Sequence, residues 1–187
     1  MFVCYFKQMN IKHFFTILSI SLITFSCQPT KVYLVRHAEK AAEPVKDPGL
    51  TDIGKERALD LAAYFSKIKL DAVFSTPFKR TQETASPLLN QKKINLKDYQ
   101  PNQAGDVAAK ALTNKQHTLL IGHSNTLLPA IQSLGLQPNM EQIADDDYDN
   151  LFIISKKRGK LKLKHVTYGV DSPKAKDQAA SYQMKIQ

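Results

Sequence analysis

The chain has 187 residues, a formal net charge of +9, 43% hydrophobic residues and few glycines or prolines. This is long enough for one domain with a real core and too short for two of ordinary size; the composition excludes a disordered, collagen-like or repeat protein. The lysine excess is spread through helices, hairpin and tail with no single stripe of interleaved aromatics, which argues against nucleic acid as a partner and leaves anionic substrates or an anionic membrane surface.

Residues 1–26 carry Lys7 and Lys12 but no acid, and Phe14 to Phe25 form an apolar run ending at Ser26-Cys27. That is the outline of a secretory signal, shorter than the roughly 20 residues a stable bilayer crossing needs. Cys27 resembles the lipidated cysteine of bacterial lipoproteins: Ser26 fits that pattern, while Thr24 and Phe25 depart from it. The resemblance implies an exported chain tethered to the envelope through Cys27; the alternatives are a plain signal peptide or a cysteine with no role. A mature chain beginning there has one cysteine and must be held by its core alone.

Val32 to Val35 reads as a buried strand that stops abruptly at Arg36-His37. In an open α/β sheet, ligands bind at the carboxyl ends of strands. A guanidinium and an imidazole delivered side by side there suggest an anion site with a nucleophile or base in it. Lys40 to Gly49 is a polar loop, and Leu50-Thr51-Asp52-Ile53-Gly54 opens a helix with Thr51 as its cap and Ile53, Ala58, Leu61 and Phe65 as its core face. Leu70 to Ser75 is a second strand, followed by a helix from Phe78 to about Asn90 with Arg80 near its start. Ile94 to Tyr99 is a short extended segment and Val107 to Leu112 a third helix. His117 to Ile121 is another strand, ending in Gly122-His123-Ser124 and a helix that Gly135 stops.

Strand, polar cluster and helix thus recur three times, which calls for a three-layer α/β/α fold with a largely parallel central sheet. Asp145 to Asp149 lacks the glycine and ligand spacing of a calcium loop and reads as a solvated turn. Leu151 to Ser155 and Leu161 to Tyr168 form a C-terminal β-hairpin with His165 as a strand residue, and 171–187 is a polar tail. The domain so defined spans 27–170.

Arg36, His37, Arg80 and His123 therefore converge at three strand ends. Two guanidiniums offer planar donor forks that match phosphate oxygens, the imidazoles add donors or a nucleophile, and the pattern holds no metal-ligand or cofactor motif. The ordered motifs Leu34-Val35-Arg36-His37-Ala38-Glu39-Lys40, Leu50-Thr51-Asp52-Ile53-Gly54, Ser75-Thr76-Pro77-Phe78-Lys79-Arg80-Thr81-Gln82-Glu83-Thr84-Ala85 and Gly122-His123-Ser124 resemble those of the histidine phosphatase superfamily, over about residues 31–134. That group contains the cofactor-dependent phosphoglycerate mutases and the small phosphohistidine phosphatases.

The resemblance implies a phosphatase acting on a phosphorylated small molecule or phosphoprotein, without a metal or cofactor. His37 would be the nucleophile that becomes phosphorylated, with Arg36, Arg80 and His123 binding the phosphoryl group. Ala38 stands where the family most often has glycine. The proton donor is left to Asp98, with Asp106 and Glu39 as alternatives; Glu39 could instead pair with Lys40 or orient a phosphate ligand. A phospholigand-binding module without turnover and a mutase are the competing readings. An intact His37 disfavours the first, and the short chain, with little length for a substrate-enclosing insertion, disfavours the second.

Overall fold

The computed structural model describes residues 28–172; the segment expected to direct export, Cys27 and residues 173–187 lie outside the described part. Strands β1 (Thr30–Arg36), β2 (Ala72–Ser75), β3 (Leu96–Asp98), β4 (Thr118–Gly122), β5 (Asn150–Lys157) and β6 (Lys160–Thr167) form one sheet in the order β3-β2-β4-β1-β5-β6. The first four run parallel; β5 pairs antiparallel with β1, and β6 with β5.

Strand β1 lies between β4 and β5, so it is buried on both faces, and this explains its unbroken apolar run. Val32 and Leu34 enter one core while Tyr33 and Val35 enter the other. Helices α1 (Asp52–Tyr64) and α2 (Lys79–Lys92) cover the Tyr33 face, through Leu61, Phe65, Ala85 and Leu88. Helices α3 (Ala104–Thr113) and α4 (Ser124–Ser133) cover the Leu34 face, through Ala108, Leu112, Leu127 and Ile131. The expected three-layer α/β/α arrangement with a mostly parallel sheet and a C-terminal hairpin is therefore the observed one. The hairpin turns at Arg158 and Gly159, both at positive φ (49° and 79°), the backbone that a two-residue connection between right-twisted strands requires.

Two expectations are corrected. Ile53 is 66% exposed and not part of the core face of α1, because the helix turns Gly54 and Arg57 inward instead. Thr51 does cap the helix, accepting the Gly54 N–H at 3.0 Å. The turn at Asp145 to Asp149 is not uniformly solvated: Asp147 and Asp149 are buried. Asp149 accepts the Ser172 N–H at 2.7 Å and the Tyr148 N–H donates to the Ser172 hydroxyl at 3.0 Å, so the chain remains packed through Ser172. Burial is the largest influence raising the Asp149 pKa, and the neighbouring Asp147 carboxyl adds to it.

Gly54 shows why a small residue closes the Leu50 to Gly54 motif. A Cβ there would overlap the Glu39 carbonyl oxygen and crowd the Glu39 nitrogen at 3.0 Å, and backbone cannot swing aside as a side chain can. Gly54→Ala is expected to lower stability by about 3 kcal/mol, read from urea denaturation; an unchanged midpoint would show that α1 is free to shift.

Candidate active site

Arg36 closes β1 and His37 follows it, with the His37 N–H continuing the ladder to the Gly122 carbonyl at 2.9 Å. Both side chains are buried. The Arg36 guanidinium is fixed from the far side: Nη1 donates to the carbonyls of Ala144 at 2.7 Å and Asp147 at 3.0 Å. Its Cζ lies 4.1 Å from the centroid of the Tyr148 ring, a favourable cation–π contact. Its Nε is buried with no hydrogen-bond partner in the protein, as is the Nε of Arg80.

The Nδ1 of His37 lies 2.8 Å from the Ala38 carbonyl oxygen. A carbonyl can only accept, so Nδ1 carries the proton, and in the neutral ring Nε2 keeps its lone pair. Burial, followed by the positive charges of Arg36 and Arg80 and the neighbouring His123 imidazole, holds His37 down at about 3. The ring is therefore neutral at any ordinary pH, as a nucleophile must be.

His123 stands at the end of β4 with its ring centroid 5.4 Å from that of His37. Its Nε2 is 2.9 Å from the Thr76 hydroxyl, which is 3.0 Å from the Thr81 hydroxyl. Thr81 Oγ1 donates to the carbonyls of Thr76 and Phe78, each at 2.8 Å. With its single proton so engaged, Thr81 accepts from Thr76, and Thr76 in turn accepts from His123 Nε2. The lone pair of His123 is thus left on Nδ1, which receives Arg80 Nη2 at a long 3.5 Å. Burial first, then Arg80 and Arg36, hold His123 down at about 4.

The residues that follow Arg80 position its neighbours. Thr84 Oγ1 accepts the Ala38 N–H at 2.9 Å while donating to the Arg80 carbonyl at 2.7 Å, so the backbone beside His37 is tied to the backbone of Arg80. Glu83 accepts the Leu50 N–H at 2.6 Å. Asp47, from the loop after β1, accepts the Lys79 N–H at 3.0 Å at the start of α2 and lies 3.8 Å from Arg80 Nη1. Phe78 places its ring 4.5 Å from the Arg80 guanidinium and 5.1 Å from His123.

Arg36, His37, Phe78, Arg80 and His123 line a cleft of about 590 Å³ that also takes in Lys40, Lys46, Ser124 and Asp145. Arg36, His37, Arg80 and His123, chosen from sequence, thus come together. Asp98 does not join them: it is exposed on the edge strand β3, which is separated from β1 by β2 and β4, and it is not among the residues lining the cleft. Asp106 is likewise exposed, on α3. Glu39 turns away to Arg57, which meets its carboxylate at 2.9 and 3.0 Å through Nε and at 2.8 Å through Nη2. Asp145 is the carboxylate that lines the cleft among the described residues. Its run of aspartates gave no periodic or spacing signal, and sequence reasoning passed over it, as it did over Tyr148 and Arg57. His165 sits on β6, stacked on Phe152 and 2.7 Å from Asn150 Oδ1, as a strand residue should.

The depressed histidines make the site sensitive to acid. An unfolded histidine titrates near 6.5, so between that pH and the lower folded values the unfolded chain binds more protons, and stability falls as pH falls. His37→Asn removes one such group. The loss of stability between pH 7 and pH 5, measured by urea denaturation, should be smaller in this variant than in the wild type; an equal loss would mean that His37 is not held neutral.

Residues 32–100 match the family model of the histidine phosphatase superfamily (branch 1). Phosphoserine phosphatase 1 of Hydrogenobacter thermophilus is 39% identical over 72 residues, covering 35% of this chain and 34% of that protein; the match thus spans about a third of that relative's length. Among solved structures, the protein histidine phosphatase SixA complexed with tungstate superposes with a TM-score of 0.59 at 20% identity, covering 73% of this chain and 96% of that one. The alpha-ribazole phosphatase of Shigella flexneri superposes with a TM-score of 0.55 at 15% identity, covering 76% and 100%. Those two likenesses concern the fold alone. The segment that carries Arg36, His37 and Arg80 is thus similar to the histidine phosphatase superfamily, and the fold of the described residues is the one those two solved phosphatases share.

Proposed function

We propose that this protein hydrolyses phosphomonoesters through a phosphohistidine at His37, without a metal ion, from a position in the bacterial envelope where Cys27 carries a lipid tether. The observation that carries the catalytic reading is the His37 imidazole: proton committed to Ala38, lone pair on Nε2, and two guanidiniums beside it with unpartnered Nε–H groups. A phosphoryl dianion supplies the acceptors those donors lack. Its approach also counters the positive field that keeps His123 neutral, so the Nδ1 of His123 can take a proton and donate to a phosphoryl oxygen.

In the first step Nε2 attacks phosphorus, the N–P bond forms and the P–O bond to the leaving group breaks, with the leaving oxygen taking a proton from an acid. Charge spread over the equatorial oxygens is met by Arg36, Arg80 and His123. In the second step water attacks the phosphohistidine, gives its proton to the same carboxylate and releases phosphate and neutral His37. Asp145 replaces Asp98 in this scheme as the proton donor, because it is the carboxylate at the cleft. The names of the similar proteins span phosphoserine, protein phosphohistidine and alpha-ribazole phosphate. Lys40 and Lys46 at the rim support an anionic substrate beyond the phosphate itself.

Two experiments test this. Alkaline quench of the enzyme with p-nitrophenyl phosphate, followed by peptide mass analysis, should find phosphate on His37. His37→Ala should lose both label and turnover, by on the order of a thousand-fold or more, and His123→Ala should slow turnover but retain some labelling. Label on His123 alone would overturn the assignment, as would activity lost to EDTA and restored by a divalent ion for the metal-free scheme. In the wild type, kcat/KM should persist from pH 7 to pH 5, where a nucleophile titrating at 6.5 would lose about thirty-fold.

The proton donor is separated by leaving group. Asp145→Asn should lower kcat on an alkyl phosphate by about a hundred-fold and leave p-nitrophenyl phosphate, whose leaving group needs no proton, little affected. Asp98→Asn should behave as wild type on both. The reverse pattern would restore Asp98 to the role.

A further inference from the structure

The lysines do not stay scattered once the chain folds. In the parallel part of the sheet each helix returns to the amino-terminal end of the next strand, so the carboxyl ends of α1, α2 and α3 gather at the pole opposite the cleft. The hairpin turn between β5 and β6 joins them, because β5 runs antiparallel to β1 and Lys156 is opposite Thr30. Exposed Lys67, Lys93, Lys115, Lys157, Arg158 and Lys160 lie at this pole. Asp71 is an acid there, and it is occupied by Lys69 at 3.3 Å and the His117 N–H at 2.8 Å.

The backbone supplies a second, independent observation. Among the described residues, positive φ in a non-glycine residue occurs at Lys93 (54°), Lys115 (56°) and Arg158 (49°), all three cationic and all three at this pole. Glycine is the unstrained residue at such positions. The dipoles of α2 and α3 favour a cation just past their carboxyl ends, at Lys93 and Lys115, but Arg158 is on a hairpin. Helix dipoles alone therefore do not account for a cation in place of glycine at all three positions.

The chain before Thr30 also leaves the domain at this pole, and the apolar run Phe14 to Phe25 is only a few residues upstream. We infer that the basic pole docks on an anionic lipid bilayer, holding the cleft, about 20 Å away along β1, on the side facing away from the membrane. An inserted or lipidated segment and a basic patch together anchor far better than either alone, and each lysine near an anionic surface strengthens binding roughly five-fold. The inference builds on the envelope reading above but not on the phosphatase reading.

The test uses the full chain and vesicles of phosphatidylcholine alone or with one quarter phosphatidylglycerol. Binding to the neutral vesicles reports the tether and its apolar segment; the increment on the anionic ones reports the pole. The wild type should gain at least ten-fold on anionic vesicles at low salt, and the gain should shrink at high salt. Lys93→Gly/Lys115→Gly/Arg158→Gly should lose most of that gain while its melting temperature holds or rises and its hydrolysis of p-nitrophenyl phosphate is unchanged. Lys55→Gln/Lys79→Gln/Lys97→Gln, which removes the same charge near the opposite pole, should keep the gain. Full binding by the glycine variant, equal loss in both variants, no preference for anionic lipid, or a short DNA duplex displacing the protein from anionic vesicles would each overturn the inference.

Discussion

The site depends on keeping two guanidinium groups beside two imidazoles without a carboxylate in direct contact with Arg36. The acceptors for Arg36 are the carbonyls of Ala144 and Asp147 and the face of Tyr148; Asp145, Asp147 and Glu39 act on it through space. Carbonyl dipoles satisfy donors without cancelling the charge, so the positive field survives inside the cleft. That field and burial together keep His37 and His123 neutral. A carboxylate in place of those carbonyls would compete for the guanidinium and raise the imidazoles toward their protonated forms.

Holding that unneutralised charge in place falls to groups outside the cleft. Glu39, next but one to His37 in sequence, is taken up by Arg57. The Nη1 of Arg57 also donates to the carbonyls of Tyr168 at 3.3 Å and Val170 at 3.0 Å. One buried ion pair thereby joins the turn after β1, helix α1 and the segment leaving β6. Removing Glu39 would strand Arg57 as a buried charge, a cost typically of 3–5 kcal/mol. Thr84 and Thr81 do related work in α2, since each uses one hydroxyl both to donate and to accept between elements that carry site residues. The run of Arg80 to Thr84 is thus a cleft-lining arginine followed by its own framework.

Much of this was legible beforehand because the parallel sheet writes itself into the sequence. A strand buried on both faces must be apolar, and the first polar residues after it emerge where ligands bind, so Arg36-His37, Arg80 and Gly122-His123 could be picked out from position alone. Ile53 was misjudged because a helical period does not say which of two adjacent stripes faces inward. The close approach of Gly54 to Glu39 decides that, and it is a contact between segments. Asp98 was preferred for lying in the segment before the last histidine, yet an edge strand three places from β1 does not bring it to the cleft.

Local physics, therefore, determined the strands, their order of motifs and the four cationic or imidazole side chains, because burial and periodicity act over a few residues and leave a one-dimensional pattern. Tertiary structure decided what has no such pattern: that Asp145 reaches the cleft while Asp147 and Asp149 are buried a few residues on, that Glu39 belongs to Arg57, and that lysines far apart in sequence share one pole. Each of these is a meeting of segments separated by tens of residues. Only the assembled sheet, by fixing which strand ends are neighbours, selects such pairs from the many the sequence would allow.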